Sequence, residues 1–132
     1  MTTFIDTSAF YAVLCADDPN HLAAKEIWIE LLNRRDELIC TNYVLVETVA
    51  LLQNRLGIAS VRAFHEDVIP FLQIEWIAEG QHQAAVAALL TSGKRSLSLV
   101  DCASFETMRR LGITVAFAFD PHFREQGFTC IP

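Results

Sequence analysis

Residues 98–120, SLVDCASFETMRRLGITVAFAFD, decide how this chain folds. The spacing predicts a helix from Leu99 to Leu111, closed by Gly112 as a stop signal. A strand follows, Ile113–Phe119, apolar at every position except Thr114. A strand without polar alternation is buried on both faces, as happens in a parallel sheet covered by helices, so we expect it to be central. Working outward, Phe128–Ile131 reads as a last strand, and Gln81–Leu90 as the helix before the block. Leu72–Ile77 alternates in polarity as an edge or half-exposed strand does, after a helix near Ser60–Ile69. Thr41 or Asn42 caps a helix running to Leu56 and stopped by Gly57, with a short strand, Leu38–Cys40, before it. His21–Arg34 is amphipathic, and Thr2–Ile5 is a buried strand leading into a helix from Thr7 to about Cys15. Strands separated by helices, with no repeat or linker, predict one domain over residues 1–132. Its class is α/β, a three-layer α/β/α arrangement around a central parallel sheet. In such sheets ligands bind at the carboxyl ends of the strands.

Composition narrows the function. At 52% hydrophobic residues, disorder is excluded. A net charge of −6 excludes a protein that grips nucleic acid by counterion release alone. No Cys-x-x-Cys occurs among Cys15, Cys40, Cys102 and Cys130, which read as reduced core side chains. The longest apolar run, Ala9–Ala16, falls far short of the about 20 residues of a membrane span. The first Lys or Arg is Lys25, so no secretory leader is expected. These features predict a soluble cytoplasmic protein with no membrane partner.

Most of the 16 acids have polar neighbours and belong on solvated faces. Asp6, Glu47, Asp101 and Asp120 each interrupt an apolar stretch instead. Three of them have a plain structural explanation. Asp6 can cap the first helix, Asp120 precedes Pro121 in a strong capping signal, and Ser98 with Asp101 has capping-box spacing. Glu47 resists it. It lies in mid-helix, with Tyr43 and Leu51 as its neighbours one turn away, so nothing on its own helix can pair with it. An unpaired buried carboxylate costs several kcal/mol or becomes neutral. Either a distant Arg or a cation must compensate, and one cation serving several acids is economical. Two like charges 4 Å apart repel by about 4 kcal/mol at an effective dielectric of 20, so a gathered cluster implies a bound counter-charge. A set of oxygen donors favours Mg²⁺ or Mn²⁺ over Zn²⁺. Such ions would also provide the positive charge that a phosphodiester needs and the chain lacks.

In its ordered motifs the sequence resembles the PIN-domain nucleases, in particular the VapC toxin branch. The resemblance rests on Asp6-Thr7-Ser8 after the first strand and on the helix around Glu47 with Leu51 and Leu52. Its most specific part is the block Ser98–Phe105, running through Met108, Arg109 and Gly112 to Ala116–Phe123 and Gly127-Phe128. It implies a metal-dependent, single-strand-selective endoribonuclease, homodimeric and restrained by a cognate antitoxin. By position it assigns Asp6, Glu47, Asp101 and Asp120 as catalytic metal-binding acids. Thr7 and Ser8 match supporting positions, and Ser98 caps the helix that bears Asp101. The family sometimes adds an acid or Asn shortly after the fourth position, where Pro121, His122 and Phe123 supply none.

His122 adjoins Asp120 and could contact a phosphate; Lys94, Arg95, Arg109 and Arg110 are candidate RNA-backbone contacts. His21, His65 and His82 share no ligand spacing, and the Trp and Phe residues read mostly as core. A haloacid-dehalogenase-type phosphatase would need an acid at Ser8, and a receiver domain would need a later lysine than Lys94. The remaining alternative is a catalytically inert PIN-fold module that binds protein or RNA, which would be expected to have lost at least one of the four acids.

Overall fold

Four short runs rich in apolar and β-branched residues, and a fifth that alternates in polarity, pair into one sheet. A computed structural model describes every residue from Met1 to Pro132. The strands are β1 (Thr2–Ile5), β2 (Glu37–Thr41), β3 (Gln73–Glu75), β4 (Val115–Phe117) and β5 (Thr129–Ile131). All neighbours are parallel, in the order β3-β2-β1-β4-β5. The helices are α1 (Thr7–Leu14), α2 (His21–Arg34), α3 (Asn42–Arg55), α4 (Ile58–Ala63), α5 (Glu79–Ser92), α6 (Leu99–Leu111) and the single turn α7 (His122–Glu125). α1 packs on α2 and α3, α5 packs on α6, and the whole is a three-layer α/β/α fold.

β1, not β4, is the central strand. From it the chain steps through β2 to β3 on one side, while β4 and β5 lie on the other. The winding direction therefore reverses between β1 and β4, and at such a point the flanking segments diverge to leave a crevice at the carboxyl ends. Phe4, Phe10, Phe64, Phe117 and Phe123 are fully buried and anchor the core. Phe105 packs edge-on against Phe123 with ring centroids 5.0 Å apart. Trp76 and Phe71 depart from the core expectation: they are 68% and 56% exposed.

Three elements differ from the sequence reading, each for a traceable reason. β4 spans three residues because, past Ala118, the Phe119 N–H donates to Ser8 Oγ at 3.0 Å and leaves the ladder. β3 is an edge strand as expected, but it is shorter, since Ile77 N–H donates to Asn42 Oδ1 at 2.6 Å. The expected helix near Ser60–Ile69 is α4, then a π turn (Phe64–Val68) and a 3-10 turn (Ile69–Phe71) around Pro70, which has no N–H to continue a helix. Gly112 does end α6: at φ +70° it takes the left-handed conformation, and Ile113 N–H donates to Met108 O at 2.8 Å. The four cysteines are free thiols, and no helix is long and apolar enough to cross a membrane.

Candidate active site at the carboxyl edge of the sheet

Asp6 is the residue at which β1 ends and α1 begins. As the α1 N-cap its Oδ2 accepts from Ser8 N–H at 3.2 Å and from Ser8 Oγ at 2.7 Å. The same Ser8 Oγ accepts the Phe119 N–H, so one hydroxyl ties the exit of β1 to the exit of β4. Asp6 is only 3% exposed. Burial pushes its carboxyl from an ordinary 3.8 up to about 6, against the pull of the Ser8 donors and with help from the charges of Asp101 and Glu47.

Glu47 is half-buried in the second turn of α3. Burial raises its pKa, the Thr7 hydroxyl opposes, and the charges of Asp101 and Asp120 raise it further. Thr7 is itself fixed: its Oγ1 lies 3.0 Å from Thr48 Oγ1 and 3.5 Å from Val44 O, which it can donate to. Thr48, fully buried beside Glu47, is a supporting residue that the sequence reading missed. A lone polar group on an apolar helix was its only signal.

Asp101 enters from α6. Ser98 Oγ accepts the Asp101 N–H at 3.0 Å and Asp101 Oδ2 accepts the Ser98 N–H at 3.1 Å, a reciprocal capping box. Its pKa is raised by burial and by Asp120, and lowered by the Ser98 donors and by His122. Asp120 accepts the His122 N–H at 2.9 Å through Oδ1. The His122 ring turns back to the same place, with Nδ1 2.9 Å from Asp120 Oδ1 and 3.8 Å from Asp101 Oδ2. That Nδ1 is buried, and neither approach is aligned as a hydrogen bond. Donor atoms of Asp101, Asp120 and His122 all lie within 4.8 Å of one another.

For Asp6 and Asp101, capping and clustering are thus the same arrangement; the expected cap at Asp120 is not formed, since Pro121 is itself the N-cap of α7. The short links Asp6–Ser8, Ser98–Asp101 and Asp120–His122 hold each carboxylate at the strand-end crevice. The ion pairs of Lys and Arg lie elsewhere: Arg34 with Glu30 and Asp36, Arg62 with Glu66, Arg110 with Glu75. No arginine or lysine forms an ion pair with any of the four acids, although Arg124 lines a small pocket with Asp120. Carboxylate oxygens with a single imidazole nitrogen form a donor set that suits a divalent cation.

The outlying candidates divide. Lys94 and Arg95 are exposed in the segment leading to Ser98 and make no side-chain ion pair. Arg109 sits at the far end of α6, eight residues or about 12 Å beyond Asp101. There it donates to Gln126 Oε1 at 2.8 Å and lies over the Phe128 ring at 5.3 Å. Arg110 is held by Glu75 at 2.9 Å. His21 bonds Ala12 O, and His82 bonds the Tyr43 hydroxyl.

A family model described as "PIN domain" matches residues 3–128. The 23S rRNA-specific endonuclease VapC20 of Mycobacterium tuberculosis is 34% identical over 126 residues, 95% of this chain and 94% of that protein. The crystal structure of Mycobacterium tuberculosis VapC20, described as a sarcin–ricin loop cleaving toxin, superposes with a TM-score of 0.87 at 32% identity, covering 96% of each chain. FitAcB from Neisseria gonorrhoeae shares the fold at a TM-score of 0.68 and 14% identity, over 98% of this chain and 96% of that one.

Proposed function

The chain belongs to the PIN-domain family, and from that premise we propose that it is a divalent-metal-dependent endoribonuclease acting on single-stranded RNA, the toxin of a toxin–antitoxin pair. The observation that carries this reading is the cluster of donor atoms from Asp101, Asp120 and His122, with buried Asp6 and half-buried Glu47 near enough for the charge of Asp101 to act on both, and with no arginine or lysine ion-paired to any of the four acids. The similarity to a 23S rRNA-specific endonuclease supports RNA as the substrate class.

Asp6, Glu47, Asp101 and Asp120 would hold one or two Mg²⁺ or Mn²⁺ ions. When bound, such an ion supplies the positive charge a phosphodiester requires and makes the attacking water more acidic. The chain's own groups do the positioning. Ser8 and Ser98 each engage one oxygen of their aspartate, so those carboxylates are aimed before substrate arrives. Thr7, braced by Thr48, lies against Glu47 and holds it toward the crevice. Lys94 and Arg95 are the RNA-backbone contacts this reading favours. The guanidinium of Arg109, occupied by Gln126 and Phe128, serves packing instead.

The partners we assign are a cognate antitoxin and a second copy of the chain, in the cytoplasm. Exposed Val46, Leu90 and Trp76 are apolar side chains that such contacts would cover. The direct test is cleavage of single-stranded RNA with Mn²⁺ or Mg²⁺, with excess chelator, and with Asp101→Asn. We expect cleavage only in the metal-loaded wild-type chain. Cutting that persists in chelator or in Asp101→Asn would defeat the mechanism; RNA binding without any cutting would favour the inert module.

A further inference from the structure

The pocket contains a donor that an oxygen-only site would not have. His122 Nδ1 is buried, lacks a hydrogen-bond partner, and points between Asp120 and Asp101 rather than to solvent. Its distances carry information. Donors about 2.1 Å from one octahedral ion lie about 3 Å apart when adjacent and about 4.2 Å apart when opposite. The observed separations are 2.9 Å to Asp120 Oδ1 and 3.8 Å to Asp101 Oδ2, within that range. The single-turn helix α7 carries the ring, and buried Phe123 anchors that turn in the core.

We infer that His122 Nδ1 is a metal-donor atom, making this a mixed nitrogen–oxygen site that discriminates in favour of Mn²⁺ against Mg²⁺. The inference rests on the nuclease reading above and deepens it. Mg²⁺ is hard and prefers oxygen, whereas imidazole nitrogen is a better partner for the first-row transition ions. His122 therefore does not leave the position after the fourth acid empty. It puts a softer donor beside the carboxylates.

The test uses the full chain, with Mn²⁺ alone as the probe. Pulsed electron paramagnetic resonance of the Mn²⁺-loaded protein should show coupling to a directly bound nitrogen, and the pattern should change when histidine is labelled with ¹⁵N. In His122→Asp the coupling should vanish, and the ratio of Mn²⁺ to Mg²⁺ affinity should fall by about tenfold or more, since losing even an outer-shell partner of a ligand costs about that. The isotope experiment needs no variant, so a His122→Asp protein that fails to fold does not remove the test. Absence of nitrogen coupling in Mn²⁺-loaded wild type overturns the inference. So does an unchanged affinity ratio, or a His122→Ala protein that binds both ions more tightly by the same factor, as removal of a competing imidazolium would produce. If wild type binds no Mn²⁺, or binds it no better than Asp101→Asn, the nuclease reading itself fails, and this inference falls with it.

Discussion

Replacing Asp6 with Asn should stabilise the metal-free protein at neutral pH. Asp6 is 3% exposed, and burial lifts its carboxyl from 3.8 to about 6. A raised folded-state pKa fixes the sign. Below about 4 both the folded and the unfolded chain keep the proton, and the fold has its full stability. Between about 4 and 6 the unfolded chain ionises first, so stability falls as pH rises; above that the loss is complete. At 1.36 kcal/mol per pKa unit, the shift corresponds to about 3 kcal/mol lost by pH 7. Asn keeps the capping oxygen for Ser8 N–H but gives up the charge on the Ser8 hydroxyl bond, so a net gain of about 1–3 kcal/mol is expected. With roughly 4 °C per kcal/mol for a domain of this size, Asp6→Asn should melt about 4–12 °C higher in chelator at pH 7.5. At pH 4 the difference should shrink toward zero. Urea denaturation of both proteins from pH 4 to 8 reads this directly. Adding Mn²⁺ should then reverse the order, because only the wild type gains a ligand. A variant less stable than wild type at pH 7.5 in chelator, or a stability difference that ignores pH, would refute the reasoning.

Ser8→Ala removes the hydroxyl shared by Asp6 and Phe119 N–H, so it should cost about 1–3 kcal/mol in urea unfolding and reduce kcat. Ser98→Ala should cost about 1 kcal/mol by uncapping α6 and, by loosening Asp101, should weaken Mn²⁺ binding measured by calorimetry. Lys94→Ala with Arg95→Ala should reduce RNA affinity and flatten its salt dependence by filter binding, because fewer counterions are released. Arg109→Ala should leave that salt slope unchanged and lower stability by less than about 1 kcal/mol, as expected for an exposed contact.

Much of the frame is legible in the sequence because the signals are local. Gly112 marks a helix end that its own φ requires, and the Ser98/Asp101 spacing is itself a capping box. The acids stand out because each breaks an apolar stretch, a pattern that solvated carboxylates such as Glu66 or Asp67 do not show, although Glu30 shares it and is solvated. Reading Asp6 or Asp101 as either a cap or a site residue poses a false choice, since the capping bonds are what orient the carboxylates. What local reading could not give depends on distant partners. β4 ends early because of Ser8, over a hundred positions away, and Arg109 is claimed by Gln126 from beyond the next strand. The direction of the His122 ring is likewise a product of packing, since sequence places it beside Asp120 but cannot aim Nδ1.

The placement of β1 between β2 and β4 has a consequence for synthesis of the chain. Asp6 leaves the ribosome long before β4, the strand that seals the far side of β1, and before Asp120 and β5. A nascent chain can pair β1 with β2, but until residue 119 emerges Ser8 lacks its partner and the crevice has only one wall. Contacts of such long sequence separation also form slowly. A chain that stops before β4 therefore lacks Asp120 and one wall of the crevice. Whatever the four acids do together is thus withheld, by topology, from any copy that stops short of Asp120.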